Sequence, residues 1–84
     1  MAMENEIRKQ VTGLINDKLA RLSVKENELN NSFDLVKSGL LNSLEFVDLV
    51  ASMEKLNDRE IDFEKELGKG NFTTFGGLIR AFSE

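Results

Sequence analysis

In residues 38–50 the chain reads SGLLNSLEFVDLV, a loop with one glycine that leads into a mostly apolar run. Asn42 can cap a helix whose first residue is Ser43, because its side-chain oxygen can accept from an unpaired N–H of the first turn. Glu45, three residues on, can reach back to the backbone N–H of Asn42 and complete a capping box. The stretch therefore predicts a helix that begins at Ser43, with that serine at its N-terminus.

This predicted helix runs from about Ser43 to Leu56. Its polar residues recur three or four positions apart and so share one face: Glu45, Asp48, Ser52 and Lys55. The remaining residues are almost all apolar, and their arc is wider than one neighbouring helix requires. We therefore expect this helix to lie at the centre of the molecule or to leave part of its apolar rim exposed for a partner.

Apolar spacing predicts further helices on both sides of this one. Apolar residues recur at helical intervals from about Glu4 to Leu22, which predicts a first helix. The segment from Ile61 to Leu67 predicts a short helix that nearby glycines end. A last helix is predicted to begin near Thr73 or Thr74, either of which can cap it. Because glycine weakens a helix, Gly76-Gly77 predicts close packing or local mobility there.

The segment from Ser23 to Asn42 has no long hydrophobic period and is rich in turn-forming residues. A connection of that length is uncommon in a compact domain and is usually functional. We expect its apolar residues to pin it onto the helices, with a short helical turn near Ser32 to Lys37. The chain is thus predicted to be one all-α domain over residues 1–84, a small four-helix bundle of three long helices and one short helix with a long first loop.

The composition excludes several classes of protein. The 84 residues suit one domain, and a net charge of −4 argues against nucleic acid as a partner. The sequence has no histidine and no cysteine, which removes the commonest catalytic base, disulfides and thiolate metal sites. The acids from Asp58 onward match the start of a calcium loop, but Phe63 and Lys69 occupy its glycine and glutamate positions. With no membrane-spanning run and no signal segment, we expect a cytoplasmic protein that binds neither metal nor membrane.

The sequence Gly-Leu-Leu-Asn-Ser-Leu at residues 39–44 resembles the phosphopantetheine attachment site of acyl carrier proteins, whose core is Asp-Ser-Leu at the start of the second helix. Glu60-Ile61-Asp62 is similar to the acidic stretch before that family's short third helix. The order of the elements and the long first loop extend the resemblance over nearly the whole chain. The attachment sequence is similar to that of free-standing carriers of specialised pathways and of aminoacyl carriers.

The resemblance implies that Ser43 receives 4′-phosphopantetheine from coenzyme A through a phosphodiester, in a site that includes Asn42 and Leu44. The thiol of that arm carries an acyl or aminoacyl group as a thioester. The residues implied to meet partner enzymes are Leu44, Glu45, Asp48 and Glu54. The protein would then be a monomeric carrier and not an enzyme. It would shuttle cargo among a phosphopantetheinyl transferase and ligases or synthases with basic docking patches, as in fatty acid or polyketide biosynthesis.

Two alternatives remain open at this point. The family has aspartate before the serine and this chain has Asn42, which favours an unmodified carrier-like adaptor that binds a partner through the second helix. Ser43 can also be a plain residue of a capped helix start, with Glu45, Asp48 and Glu54 on a solvated face. The carrier interpretation is supported by the positive end of the helix, which stabilises a phosphodiester. It is also supported by the lack of a histidine base that would make Ser43 a nucleophile.

Several apolar residues of the later helices are predicted to form the core: Phe46, Val50, Met53, Ile61, Phe63 and Phe82. A helical bundle can hold a ligand between its helices. Phenylalanine rings that fill this space would shorten any cavity for an acyl chain. We therefore expect a short acyl or aminoacyl cargo.

Overall fold

The computed structural model describes residues 4–25 and 28–83, and in these ranges the chain forms four α-helices. They are α1 (Glu4–Arg21), α2 (Ser43–Asn57), α3 (Phe63–Gly68) and α4 (Phe75–Ser83). Each predicted helix is present, with boundaries within two residues of those expected. Between the helices, the described part of the chain has no strand and only an isolated bridge that pairs Asp34 with Thr74. The all-α prediction is confirmed.

Helix α1 packs against both α4 and α2. It buries one residue from each turn on a single stripe: Ile7, Val11, Ile15 and Leu19. Helix α4 also buries a stripe, which comprises Phe75, Leu78, Ile79 and Phe82. Because side chains three or four residues apart share a helix face, these two stripes form the centre of the core.

Helix α2 buries one face and leaves part of its apolar rim in solvent. Phe46, Leu49, Val50 and Met53 are buried. Outside that face, Leu44 is 71% exposed, Val47 is 45% exposed and Leu56 is 56% exposed. Of the two arrangements that the wide apolar arc allowed, the structure therefore shows the exposed rim. Within the described ranges, no helix combines the length and apolarity that crossing a bilayer requires.

Helices α1 and α2 run antiparallel, and polar contacts join both ends of α2 to α1. Lys18 in the last turn of α1 forms an ion pair with Glu45 in the first turn of α2. At the other end, Asn57 Nδ2 donates to Gln10 Oε1 over 3.0 Å. The end of α1 therefore lies beside the start of α2, although a long connection separates them in sequence.

That connection is pinned to the start of α4 by main-chain hydrogen bonds. Leu35 N donates to Thr73 O over 2.8 Å, and Phe75 N donates to Phe33 O over 2.8 Å. Its leucines enter the core, as predicted: Leu29, Leu35, Leu40 and Leu41 are all buried. The chain leading into α2 is therefore held in place, although it has almost no regular secondary structure.

The helical turn predicted near Ser32 to Lys37 does not become a helix. The segment forms turns, with one bond of helical spacing from Ser38 N to Asp34 O at 3.2 Å. Asp34 Oδ1 accepts from Val36 N at 2.9 Å and from Lys37 N at 2.7 Å. The Asp34 side chain thus accepts hydrogen bonds from backbone N–H groups that would otherwise pair within a helix. This competition is the reason that aspartate favours turns.

Asp34 also anchors this turn to the segment before α4, because its Oδ2 accepts from the Thr73 hydroxyl at 2.9 Å. Burial alone would raise the pKa of Asp34. The hydrogen bonds from Lys37 N, the Thr73 hydroxyl and Val36 N outweigh that effect and lower the pKa below its ordinary value. The carboxylate is therefore held in its charged form where the two segments meet.

The two glycines of α4 allow close packing. A Cβ at Gly77 would lie 2.7 Å from the carbonyl carbon of Asn71, and one at Gly76 would lie 2.7 Å from Asn31 Cβ. Thr74 caps this helix, as predicted, since its Oγ1 accepts from Gly77 N at 3.0 Å. Of the two explanations for the glycines, the structure supports close packing.

Candidate functional site

The start of α2 is fixed by a complete capping box. Asn42 lies in extended conformation before the helix, and its Oδ1 accepts from Glu45 N at 2.7 Å. In return, Asn42 N donates to Glu45 Oε1 over 2.9 Å. Both bonds were predicted from sequence, and both are present. They place Ser43 at the first position of the helix.

The Ser43 side chain is exposed at this helix end. In the part of the chain that the structure describes, its hydroxyl makes no hydrogen bond, and the N–H groups of Ser43 and Leu44 have no acceptor. Two unpaired amide donors therefore lie beside an accessible hydroxyl. A phosphodiester on that oxygen would be close to both donors and to the positive end of the helix, so this chain's own atoms fit the group.

The loop before Ser43 is anchored on the core side. Leu40 and Leu41 are buried, and Leu41 N donates to Leu35 O over 2.9 Å. Gly39 has a φ of 86°, a left-handed conformation that a residue with a Cβ rarely adopts. The glycine turns the chain, the leucines hold it down, and Ser43 emerges on the surface.

Glu45 is engaged on both carboxylate oxygens. Oε1 accepts from Asn42 N, and Oε2 pairs with the ammonium of Lys18. The hydrogen bond from Lys18 is the main cause that lowers the pKa of Glu45, followed by the bond from Asn42 N and the nearby charge of Arg21. The structure thus places this candidate partner residue in contacts within the chain.

Sequence reasoning did not anticipate Lys18 and Arg21 at this site. Both belong to the basic last turn of α1, and Glu45 belongs to the first turn of α2. Basic residues at a helix C-terminus and acids at a helix N-terminus each complement the helix dipole. When two helices run antiparallel, the C-terminus of one lies beside the N-terminus of the other. The basic residues at the end of α1 and the acid at the start of α2 were therefore the sequence signal for this contact.

The other candidate partner residues fall into two places. Leu44 and Asp48 are exposed in the first half of α2, and Val47, which sequence reasoning did not select, is exposed beside Leu44 at helical spacing. Glu54 lies farther along α2, where its Oε2 accepts from Ile61 N at 3.0 Å. Glu54 thus has a structural contact that ties the segment before α3 to α2.

Three phenylalanines pack together next to this part of α2. The ring centroid of Phe46 lies 6.2 Å from that of Phe63 and 5.3 Å from that of Phe72. Phe63 and Phe72 are 5.4 Å apart, with their rings nearly perpendicular at 82°. This aromatic cluster (Phe46, Phe63 and Phe72) joins α2, α3 and the segment before α4. Phe46 is buried as predicted, whereas Phe63 is only partly buried.

The chemistry available at this site is limited. Among the described residues, no three histidine, cysteine, aspartate or glutamate side chains come close enough to hold a metal ion. Both oxygens of Glu45 are engaged, so that carboxylate is not free to take the Ser43 proton. The site presents an exposed hydroxyl beside unpaired amide donors.

Comparison of the chain with protein-family models, with curated proteins and with solved structures found no match.

Proposed function

We propose that this protein is an acyl or aminoacyl carrier whose Ser43 bears a phosphopantetheine arm. The observation that carries the proposal is the exposed Ser43 hydroxyl at the first position of a capped helix, beside two unpaired N–H groups. The element order and the attachment sequence described above support it. The partners on this proposal are a phosphopantetheinyl transferase and enzymes that load and use the cargo.

The modification would proceed with a transferase and coenzyme A. Ser43 Oγ forms a bond to the phosphorus next to pantetheine, the pyrophosphate bond breaks, and adenosine bisphosphate leaves. The hydroxyl proton passes to the transferase, since both oxygens of Glu45 are already engaged. The unpaired amides of Ser43 and Leu44 then face a phosphodiester, which helix N-termini stabilise. The arm's thiol supplies the thioester chemistry, and the protein presents it.

The proposal is tested by intact mass after incubation with coenzyme A and a broad-specificity transferase. We expect the wild-type chain to gain one phosphopantetheine and Ser43→Ala to gain none. Because Ser43 is exposed and Asn42 provides the cap, Ser43→Ala should keep the wild-type helical circular dichroism. A well-folded wild type that gains no mass, or Ser43→Ala that still gains it, contradicts the proposal.

Asn42→Asp is the matched variant for the one departure from the family's attachment sequence. Aspartate caps a helix as well as asparagine does, so the thermal midpoint should stay close to that of the wild type. The transferase reaction is expected to be at least as fast as with the wild type. A variant that keeps its fold but loses modification would show that Asn42 is required for another reason.

The second candidate function is an adaptor that is never modified. The exposed apolar pair Leu44 and Val47, three residues apart on α2, favours it, because neighbouring apolar residues in solvent often mark a binding surface. The mass experiment separates the two functions. The adaptor is favoured if the chain gains no phosphopantetheine in the transferase reaction and if protein isolated from its native host also carries none.

A further inference from the structure

The face of α2 below Ser43 leads directly to the aromatic cluster. Ser43, Val47, Val50 and Glu54 are spaced so that they share one helix face. Phe46 adjoins this face, three residues and about 4.5 Å along the axis from Ser43. A group tethered to Ser43 that entered the interior on this side would therefore meet the Phe46 ring within the first turn.

The interior at that point is filled. Phe46 and Phe72 are each 2% exposed and meet nearly edge to face, at an interplanar angle of 83°. Phe63 contacts both rings from α3. Such arrangements are favourable for aromatic rings, and protein interiors leave little free space around them. An alkyl chain that entered on this side would have to displace at least one ring.

A polar contact also fastens α3 over this region. The hydrogen bond from Ile61 N to Glu54 Oε2 holds the segment that precedes Phe63 against α2. Two clefts border α2 away from Ser43. One of about 530 Å³ includes Ala51 and Glu54, in the second half of the helix. The other, of about 270 Å³, is lined by Leu14 and Asp48, on the α1 side of the helix. Helical geometry places that side of α2 opposite Ser43.

We infer that the cargo of this carrier remains outside the fold and is therefore a short or polar acyl group, such as an acetyl-sized or aminoacyl group. This inference rests on the proposed carrier function. A long alkyl chain left in water is unfavourable in proportion to its apolar area, so a carrier with a closed interior suits cargo with little of it. The aromatic cluster is the feature that sets this limit.

The test uses the absence of cysteine in the chain. Ser43→Cys introduces a single thiol, whose thiolate displaces methanesulfinate from methyl or octyl methanethiosulfonate and forms a mixed disulfide. We expect the octyl and methyl conjugates to melt within about 2 °C of each other, because the octyl chain stays in solvent. Burial of seven additional methylenes would raise the midpoint by more than about 10 °C. A rise of that size overturns the inference.

Two variants in the same background test whether the aromatic cluster is responsible. Phe63→Ala removes a partly buried ring, and its octyl conjugate should then melt at least about 4 °C above its methyl conjugate. Leu67→Ala, one turn later on α3 and 44% exposed in the wild type, should show no such difference. Equal midpoints for the two Phe63→Ala conjugates would show that the ring does not limit entry.

The conjugation experiment and the mass experiment test the cargo limit and the carrier function independently. The thiol reaction needs neither a transferase nor coenzyme A, so it measures the interior even if Ser43 is never modified. If the chain gains phosphopantetheine and its octyl conjugate is also stabilised, the carrier function stands and the limit on cargo is wrong. If the chain gains no phosphopantetheine, the carrier function is wrong whatever the octyl result, and no cargo can be assigned.

Discussion

At the residue scale, Glu45 connects three parts of the molecule through one carboxylate. It closes the capping box of α2 with Asn42, and it binds Lys18 at the end of α1. These contacts favour the charged form, which is why the pKa of Glu45 lies below its ordinary value of 4.5. The same residue therefore fixes the helix start that presents Ser43 and couples that start to α1.

The lowered pKa of Glu45 determines how the free energy of unfolding changes with pH. A carboxylate whose pKa is lower in the folded than in the unfolded state stabilises the fold above its unfolded pKa. That contribution is lost as the pH falls from about 4.5 through the lower, folded value. Glu45→Gln should therefore be less stable than the wild type at pH 7, and the difference should shrink below about pH 4.5.

Urea unfolding at pH values from 7 to 3 measures this difference. Asp48→Asn is the control, because Asp48 lies on the same helix but is exposed. Its free energy of unfolding at pH 7 should stay within about 0.5 kcal/mol of the wild type. A constant gap between Glu45→Gln and wild type down to pH 3 would contradict the charged contacts of Glu45.

At the element scale, the helices were predictable from local patterns, and the contacts between them were not. The start of α2 follows from Asn42 and Glu45, which are three residues apart, so the capping box is visible in sequence. The Lys18 to Glu45 ion pair joins residues 27 positions apart, and only the antiparallel arrangement of α1 and α2 brings them together. The Ser43 position was therefore accessible to sequence reasoning, whereas the internal pairing of Glu45 was not.

The first connection shows the same limit. Its leucines indicated that it packs onto the core, but of the helical turn expected near Ser32 to Lys37 only one bond of helical spacing forms, from Ser38 N to Asp34 O. The side chain of Asp34 takes the N–H groups of Val36 and Lys37 and links the turn to Thr73. That last contact crosses 39 residues of sequence, so no local pattern could reveal it.

The glycines of the helices lead to opposite predictions for the same substitution. Gly77→Ala would push a Cβ against the backbone of Asn71, which cannot yield as a flexible side chain can, and we expect a loss of about 1–3 kcal/mol. Gly13→Ala in α1 meets nothing within 4 Å and should stabilise the fold by about 0.5–1 kcal/mol. Urea unfolding of both variants measures the two changes. Equal effects would mean that Gly77 is not closely packed.

At the scale of the whole molecule, α1 holds the fold together. Its buried stripe contacts the core, and the helix packs against both α4 and α2. The connection after α1 then crosses to α4 before it enters α2, which joins distant segments through buried leucines and main-chain bonds. A chain of 84 residues has a small core, so each fully buried residue contributes a large share of its stability.

Neighbouring residues of α1 test this dependence. Ile15 is 2% exposed, and Ile15→Ala should cost about 2–4 kcal/mol, because it removes buried methyl groups and leaves a cavity. Leu14, the preceding residue, is 44% exposed, and Leu14→Ala should change the free energy of unfolding by less than about 0.5 kcal/mol. If the whole domain is stable by about 5 kcal/mol, as is typical of small domains, Ile15→Ala should leave it only about 1–3 kcal/mol. Thermal melts followed by circular dichroism measure both changes, and similar losses at the two positions would contradict the placement of the α1 stripe in the core.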